Sequence, residues 1–279
     1  MFRVLIILTL FLYTIGCTNI QTINERYEIV QLIASQANLK LEKRTSSDFS
    51  LTTYHKGLGI VDKNLMVYIE GDGNAWDRKY RLSKNPTPKN PLGLKLAAKD
   101  AANSILYIAR PCMYLEEQSL KDCPEKYWSS HRYSEQVISS INQVIDLAVG
   151  ESSTMSLTLV GYSGGGTIAA LIAARRNDVS SLVTIASNLV HGFWTKLHGI
   201  SPLKGSLDPL DYADDLSMIK QTHFVGAKDK VVPKIVMEHY LSKMSFKDNI
   251  TIKVIKGFNH SCCWEKAWPD LLNATNANQ

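Results

Sequence analysis

The segment that most constrains the fold of this chain is LVGYSGGGTIAALIAARR, residues 159–176. An apolar stretch runs into Gly161, a lone hydroxyl follows at Ser163, and an alanine-rich helical pattern begins at Gly165. A buried strand that turns directly into a helix is typical of a parallel α/β sheet. Two chemistries place glycines at such a turn: nucleophilic catalysis by serine and binding of a dinucleotide pyrophosphate.

Apolar runs and helical patterns alternate on both sides of this segment. The predicted strands are 39–45, 49–56, 65–69, 105–109, 156–160, 181–186, 221–225 and 250–255. The predicted helices are 91–100, 132–149, 165–176 and 234–244. Short buried-type strands separated by helices predict a single α/β domain, with a mostly parallel sheet and helices on both faces.

Residues 189–216 interrupt the alternation. This stretch is rich in aromatic and turn-forming residues, namely Phe193, Trp194, Pro202, Gly205 and Pro209. A long excursion between two sheet strands is usually functional, and we predict a small cap segment over a ligand cleft. A surface loop packed by its own aromatic side chains is the alternative.

The N-terminus reads as an export signal. Basic Met1-Phe2-Arg3 precedes an apolar run over 4–15 that is shorter than the roughly 20 residues of a membrane-spanning helix. The segment TIGC (14–17) resembles the bacterial lipobox, which implies a lipidated Cys17, and Thr18, not being Asp, implies sorting to the outer membrane. We therefore predict a signal peptide over 1–16, a spacer over 17–36 and the domain over 37–279.

The predicted location is the periplasmic face of the outer membrane, held there by the lipid anchor. An ordinary cleaved signal, with an incidental cysteine and a periplasmic or secreted product, is the alternative.

The net charge of the chain is +5, and basic residues occur at most in pairs such as Arg175-Arg176. That distribution argues against a nucleic-acid partner.

Four further cysteines lie in the predicted domain: Cys112, Cys123, Cys262 and Cys263. An oxidising compartment favours disulfides, and four cysteines allow three connectivities. One pairing joins Cys112 to Cys123 and leaves the adjacent cysteines as a vicinal bridge or free thiols, while the others join the two regions crosswise. The spacing lacks the pitch of zinc ligands, so no metal is predicted.

The dinucleotide interpretation of the glycines fails. Gly164-x-Gly166-x-x-Ala169 fits the pyrophosphate-binding pattern. The fold that uses it needs an Asp or Glu about 20 residues further on, and Ala186-Ser187-Asn188 occupies that place. No cofactor is therefore predicted.

The serine interpretation fits the local context. Gly161-Tyr162-Ser163-Gly164-Gly165 is a G-x-S-x-G sequence between a strand and a helix. Such a turn holds the serine in a strained conformation with its hydroxyl exposed, and only small flanking residues let strand and helix approach closely. The helix N-terminus adds N–H groups for a developing oxyanion. A glycine turn with a capping serine is the alternative.

A nucleophilic serine needs a base and an orienting acid. His260 follows the last predicted strand, whereas the other six histidines lie within predicted elements or the cap segment. Asp229 lies in the turn after the strand 221–225, with rivals in the cap segment at Asp208, Asp211, Asp214 and Asp215. The chain order Ser163, Asp229, His260 matches one known class of catalytic triad.

With these motifs in place, the predicted domain resembles the α/β-hydrolase fold. YIEGDGNAW (68–76) occupies the place of the family's His-Gly motif, with Glu70 where the histidine usually stands. The resemblance implies an oxyanion hole formed by the N–H of Asp72 or Gly71 together with that of Gly164. The chain is most similar to bacterial envelope lipoprotein-like hydrolases that carry GDGNAW, ARPC and NHSCCW stretches.

These motifs predict a serine hydrolase that cleaves a carboxylic ester or related acyl bond of a small molecule through an acyl-enzyme. A peptidase or thioesterase would use the same three side chains. A catalytically idle envelope protein that binds or assembles through this fold is the alternative of a different class.

Overall fold

An eight-stranded sheet organises the protein in a computed structural model that describes residues 21–60, 62, 64–78, 81–150 and 156–276. Its strands are β1 (Lys40–Thr45), β2 (Ser50–Lys56), β3 (Asn64–Ile69), β6 (Ile105–Ile108), β7 (Ser156–Tyr162), β8 (Val179–Ile185), β9 (Lys220–Gly226) and β10 (Ile250–Ile255). A separate hairpin pairs β4 (Trp76–Arg78) with β5 (Arg81–Leu82).

The α-helices lie between and around the strands. They are α1 (Ile23–Gln36), α2 (Leu92–Ala98), α3 (Glu117–Lys121), α4 (Glu135–Gly150), α5 (Gly164–Ala173), α6 (His191–His198), α7 (Ala213–Ser217), α8 (Lys234–Lys243) and α9 (Trp264–Asn276). Short 3₁₀ turns cover Glu125–Trp128 and Pro209–Tyr212.

The strand order is β1-β2-β6-β3-β7-β8-β9-β10. β2 pairs antiparallel with both neighbours, and the pairs from β6 to β10 are parallel. β6 lies on one side of β3 and β7 on the other, so the direction of winding reverses at β3. Because ligands of such sheets bind outside the carboxyl ends of the strands, near this reversal, the loops after β3 and β7 mark where a site is expected.

Both faces of the sheet are buried, and β3 shows why. Leu65, Val67 and Ile69 point into a core shared with α4, α5 and α8, while Met66 and Tyr68 point into a second core with α1, α2 and α9. Alternate residues of a strand face opposite sides, so an uninterrupted apolar run is what a doubly covered strand requires. The predicted fold class, a mostly parallel sheet with helices on both faces, is confirmed.

The predicted strands and helices all form, with ends shifted by a few residues. Helix α1 is a difference, because residues 23–36 were predicted as part of a spacer. It begins with a capping box between Thr22 and Glu25 and buries Val30 and Ala34 against the domain. The amphipathic pattern therefore belongs to the packed structure from residue 23 onward.

The signal sequence and the lipidation site at Cys17 lie outside the described residues and stay predictions. Within the part of the chain that the structure describes, no helix has the length and apolarity needed to cross a bilayer.

The four domain cysteines form two disulfides. Cys112 is bonded to Cys123, and Cys262 is bonded to its neighbour Cys263. Of the connectivities that spacing left open, this is the one with a short loop and a vicinal bridge. Closing a loop of this size contributes about 2–3 kcal/mol by constraining the unfolded chain. Cysteines bonded in this way are not available as zinc ligands.

His223 on β9 is a buried structural histidine. Its side chain is inaccessible, with Nδ1 2.8 Å from the Thr184 hydroxyl and Nε2 3.0 Å from the Gln221 side-chain oxygen. The Gln221 oxygen can only accept, so Nε2 carries the hydrogen and the ring is neutral. Burial lowers the pKa of His223 to about 3.

This burial predicts acid sensitivity. An unfolded histidine titrates near pH 6.5, so below that pH the unfolded chain binds a proton that the folded chain refuses. The free energy of unfolding should therefore fall by about 1.4 kcal/mol per pH unit between roughly pH 6 and pH 4 on account of this group. We measure the free energy of unfolding by urea denaturation across that range. In His223→Gln it should fall less steeply with pH than in the wild type, by the amount that one bound proton contributes. Equal slopes in the two proteins would contradict the assignment.

Candidate active site

Three side chains at the carboxyl edge of the sheet form one hydrogen-bonded chain. Ser163 directly follows β7, Asp229 lies in the turn after β9, and His260 lies in the loop after β10. The Ser163 Oγ is 3.0 Å from His260 Nε2, and His260 Nδ1 is 2.9 Å from Asp229 Oδ2. Strand ends that are far apart in sequence thus bring the three predicted residues together.

The turn at Ser163 is strained, as the glycine pattern predicts. Ser163 has φ 51° and ψ −122°, a backbone conformation that L-residues rarely adopt. A Cβ at Gly161 would lie 2.3 Å from the Gly166 Cα, and one at Gly165 would lie 2.2 Å from the Ile69 carbonyl oxygen. Strand β7 and helix α5 approach each other, and β3, too closely for any side chain at these positions.

Asp229 fixes the tautomer of His260. The Asp229 carboxylate is buried, and its Oδ1 accepts hydrogen bonds from the N–H groups of Val231 and Val232 at 2.8 and 2.9 Å. Its Oδ2 faces His260 Nδ1, which must therefore carry the hydrogen. Nε2 is left as the acceptor for the Ser163 hydroxyl, the arrangement that a general base needs.

The loop that carries His260 is held by neighbouring polar groups. The Asn259 side chain accepts from the Cys262 N–H at 2.7 Å, and Trp264 Nε1 donates to the His260 carbonyl at 3.1 Å. The Tyr162 hydroxyl donates to the same carbonyl at 3.3 Å, and its ring lies against the imidazole. These contacts were not predicted, although Asn259 and Trp264 are the first and last residues of the NHSCCW stretch.

Glu70 anchors the loop after β3. Its buried carboxylate accepts from the N–H groups of Gly71, Gly93 and Leu94 at 2.9, 3.0 and 3.3 Å, and from the Tyr107 hydroxyl at 3.0 Å. Burial raises the pKa of Glu70 above its ordinary value, although these donors oppose the shift. Glu70 thus ties the loop after β3 to the start of α2.

The N–H groups of Asp72 and Gly164, which are expected oxyanion donors, have no acceptor among the described residues, and Gly164 packs against the Asp72 carboxylate. Gly164 is the first residue of α5, where N–H groups have no partner within the helix. The Gly71 N–H donates to the Glu70 carboxylate in this structure. The oxyanion hole expected from the N–H of Asp72 or Gly71 together with that of Gly164 stays a prediction.

The Asp72 carboxylate is surrounded by cationic and phenolic donors. Arg110 donates to Oδ1 at 3.0 Å, Arg132 donates to Oδ2 at 2.8 Å, and the Tyr133 hydroxyl lies 3.2 and 3.3 Å from the two oxygens. Burial alone would raise the pKa of Asp72, but the Arg132 and Arg110 guanidinium groups lower it below its ordinary value. Sequence reasoning missed this cluster, although Arg110 directly follows a strand in ARPC.

The predicted cap segment contains α6, the second 3₁₀ turn and α7, and it contacts loops on both sides of the site. Trp194 Nε1 donates to the carbonyl of Val231, beside Asp229, at 2.6 Å. The Leu207 N–H donates to the Tyr133 carbonyl at 3.0 Å. The segment is therefore attached to the Asp229 turn and to the residues that precede α4.

Two of the four rival acids in the cap segment, Asp208 and Asp214, contact other groups. Asp208 accepts from the N–H groups of Gly192 and Leu210, and Asp214 accepts from the Ser245 hydroxyl. Among the described contacts, Asp229 is the carboxylate that His260 reaches.

Solved structures with this arrangement of elements share little sequence with the chain. Est1E from Butyrivibrio proteoclasticus is 13% identical, with a TM-score of 0.57 over 85% of this chain and 99% of that one. An alpha-beta serine hydrolase homologue from Coxiella burnetii is 14% identical, with a TM-score of 0.55 over 86% and 96%. A membrane phospholipase A described as a bacterial virulence factor is 13% identical, with a TM-score of 0.62 over 91% of each chain.

No protein-family model and no curated protein sequence matches the chain. The structural likeness establishes the fold, and the protein has the α/β-hydrolase fold expected from its motifs. At this level of identity the likeness carries no information about substrate.

The close packing at the nucleophile turn predicts that Gly165→Ala destabilises the protein by about 1–3 kcal/mol, since the new methyl group meets the Ile69 carbonyl. Gly150→Ala is the matched control, because a Cβ there has no heavy atom within 4 Å. The free energy of unfolding from urea denaturation should fall in the first variant and stay unchanged or rise in the second. Equal stability of both variants would show that the turn tolerates a side chain.

Proposed function

We propose that the protein is a serine hydrolase that cleaves a carboxylic ester, or a related acyl bond, of a small molecule. The observation that carries this proposal is the chain of hydrogen bonds from Ser163 through His260 to Asp229, with distances of 3.0 and 2.9 Å. The fold, which the named hydrolases share, adds support.

In the first half of the proposed reaction, the Ser163 Oγ attacks the carbonyl carbon and its proton passes to His260 Nε2. The carbonyl oxygen becomes an oxyanion that accepts from the N–H groups of Asp72 and Gly164. The imidazolium formed is stabilised by Asp229. When the intermediate collapses, the bond to the leaving group breaks, and that group takes the proton from Nε2.

In the second half, water attacks the acyl-serine and gives a proton to His260 Nε2. A second oxyanion forms against the same N–H groups, and its collapse breaks the bond between the acyl carbon and the Ser163 Oγ. The proton returns to Oγ and the carboxylic acid leaves. Each step moves one proton between Nε2 and an oxygen, so the other hydrogen stays on Nδ1, where it remains hydrogen-bonded to Asp229.

The proposal predicts that Ser163→Ala lowers kcat for a p-nitrophenyl acyl ester by at least about 10³-fold. Ser139→Ala, which removes a surface hydroxyl bonded to Glu135, is the matched control and should keep full activity. A fluorophosphonate probe should label the wild type and the control but not Ser163→Ala.

Turnover or labelling that survives in Ser163→Ala would reject Ser163 as the nucleophile. A wild type that neither hydrolyses esters nor reacts with the probe would favour the catalytically idle binding protein. A panel of esters, thioesters and peptides of graded acyl length, assayed with the same variants, separates the three acyl bonds that this chemistry can cleave.

Membrane attachment through Cys17 is the second part of the proposal, and it rests on residues 1–17 alone. In bacteria that express the full chain, a clickable fatty acid should label the wild type and not Cys17→Ser. Cys262→Ser, which alters a cysteine within a disulfide, should leave the label in place. A labelled Cys17→Ser, or an unlabelled wild type, would favour an ordinary cleaved signal.

A further inference from the structure

Asp72 combines two features that meet at the nucleophile. Its N–H has no acceptor among the described residues and is one of the proposed oxyanion donors, and its carboxylate is bound by Arg110, Arg132 and Tyr133. We call these three side chains around Asp72 the carboxylate clamp. None of them touches the Ser163 hydroxyl, and the proposed chemistry above does not use them.

The clamp is itself fixed at both guanidinium groups. The Arg110 Nη2 donates to the carbonyl oxygen of Arg132, and Arg132 Nε donates to the Ser129 carbonyl at 2.8 Å. Arg110 also lies over the Tyr133 ring, with Cζ 5.4 Å from its centroid. Both arginine side chains are almost fully buried, with exposures of 4% and 8%. Charged groups buried and bonded in this way have little freedom to move.

The bound carboxylate packs directly on the second donor residue. A Cβ at Gly164 would lie 2.1 Å from Asp72 Oδ1 and 2.7 Å from the Tyr133 hydroxyl. The absence of a side chain at Gly164 therefore lets the clamped carboxylate rest against the start of α5. A shift of the carboxylate would change the distance between the Asp72 and Gly164 backbones.

The loop around Asp72 is held by hydrogen bonds of the residues on either side of it. It lies between β3 and β4, outside any helix or strand, and Gly73 there has φ +64°. The Gly71 N–H is held by Glu70, and the Asn74 N–H donates to the Pro86 carbonyl at 2.9 Å. Between these two anchors, the peptide of Asp72 is held through its side chain.

The charges of the clamp also suit an oxyanion. A lone carboxylate this close to a developing negative charge would oppose it, because the interaction is weakly screened in a buried site. Two guanidinium groups against one carboxylate leave the cluster with a net positive charge. The cluster therefore favours the charge that acyl transfer creates.

We propose that Arg110, Arg132 and Tyr133 are positioning residues, which hold Asp72 so that its N–H points at the oxyanion and its carboxylate does not oppose that charge. The inference rests on the proposed hydrolase function, because it assigns a role within the same site. It deepens that function by naming what sets the geometry of one oxyanion donor.

The test is Arg132→Gln, which removes the charge and keeps a long polar side chain. A misplaced oxyanion donor stabilises the transition state less well but leaves substrate binding intact. The kcat for a p-nitrophenyl ester should therefore fall about 10–100-fold, while KM changes by less than about threefold. Arg132→Lys keeps the charge and should recover part of the lost kcat. Asp72→Asn, which leaves the backbone N–H in place but weakens both arginine contacts, should resemble Arg132→Gln.

Arg176→Gln is the matched control. Arg176 bridges Asp146 and Asp178 at 2.5 and 2.7 Å, and its side chain is 9% exposed, but it lies beyond the far end of α5 from Ser163. Its loss removes a comparable ion pair without touching the loop after β3, so kcat should stay at the wild-type value. The melting temperature of each variant is measured alongside.

A transition-state analogue separates positioning from general loosening. A trifluoromethyl ketone with the acyl chain of the ester forms an oxyanion on Ser163, so its affinity should fall in parallel with kcat in Arg132→Gln and Asp72→Asn.

Equal kcat in Arg132→Gln and Arg176→Gln, or a change confined to KM, would overturn the positioning role of the clamp while leaving the hydrolase proposal intact. If Arg132→Gln does not fold, Arg132→Lys and Asp72→Asn decide by the same criteria. A wild type inert to esters and to fluorophosphonate would overturn both proposals together.

Discussion

The close approach of β7, α5 and β3 is the constraint on which the rest of the site depends. Where Gly165 lies against the Ile69 carbonyl, no atom beyond the backbone fits. Because the start of α5 is pressed against the end of β3, Gly164, the residue after Ser163, lies against the Asp72 carboxylate. The strained backbone of Ser163 is the conformational cost of that packing, and the parallel sheet on either side holds it in place.

Two carboxylates flank the nucleophile, and the protein treats them in opposite ways. Asp229 receives neutral N–H donors and the imidazole, so its negative charge stays available to stabilise an imidazolium. Asp72 receives two guanidinium groups, so its negative charge is more than offset on the side where an oxyanion would form. In the proposed reaction, the same side-chain type would therefore support a developing cation at His260 and a developing anion at the carbonyl oxygen.

Sequence reasoning located the strands and selected three residues that the structure brings together. Ser163 stands in a five-residue pattern, and Asp229 and His260 each follow a predicted strand that forms. The clamp was missed because Arg110 and Arg132 lie 38 and 60 residues from Asp72 in the sequence, and no residue pattern near Asp72 predicts contacts with them. Other misses have the same cause. Helix α1 was read as a spacer and α9 was not predicted, since their apolar faces have meaning only against the sheet that they cover.

The disulfides occur where the sheet gives the least support to the site. Cys112–Cys123 closes the chain between Arg110 and Arg132, a stretch with one five-residue α-helix between β6 and the 3₁₀ turn. Cys262–Cys263 joins the end of the His260 loop to the start of α9. Strand ends position Ser163, Asp229 and Arg110, whereas Arg132, Tyr133 and His260 lie on irregular backbone, where conformational freedom is larger. Covalent links at these two places restrict that freedom without adding side chains to a crowded site, and an oxidising compartment, which the predicted export signal implies, would preserve them.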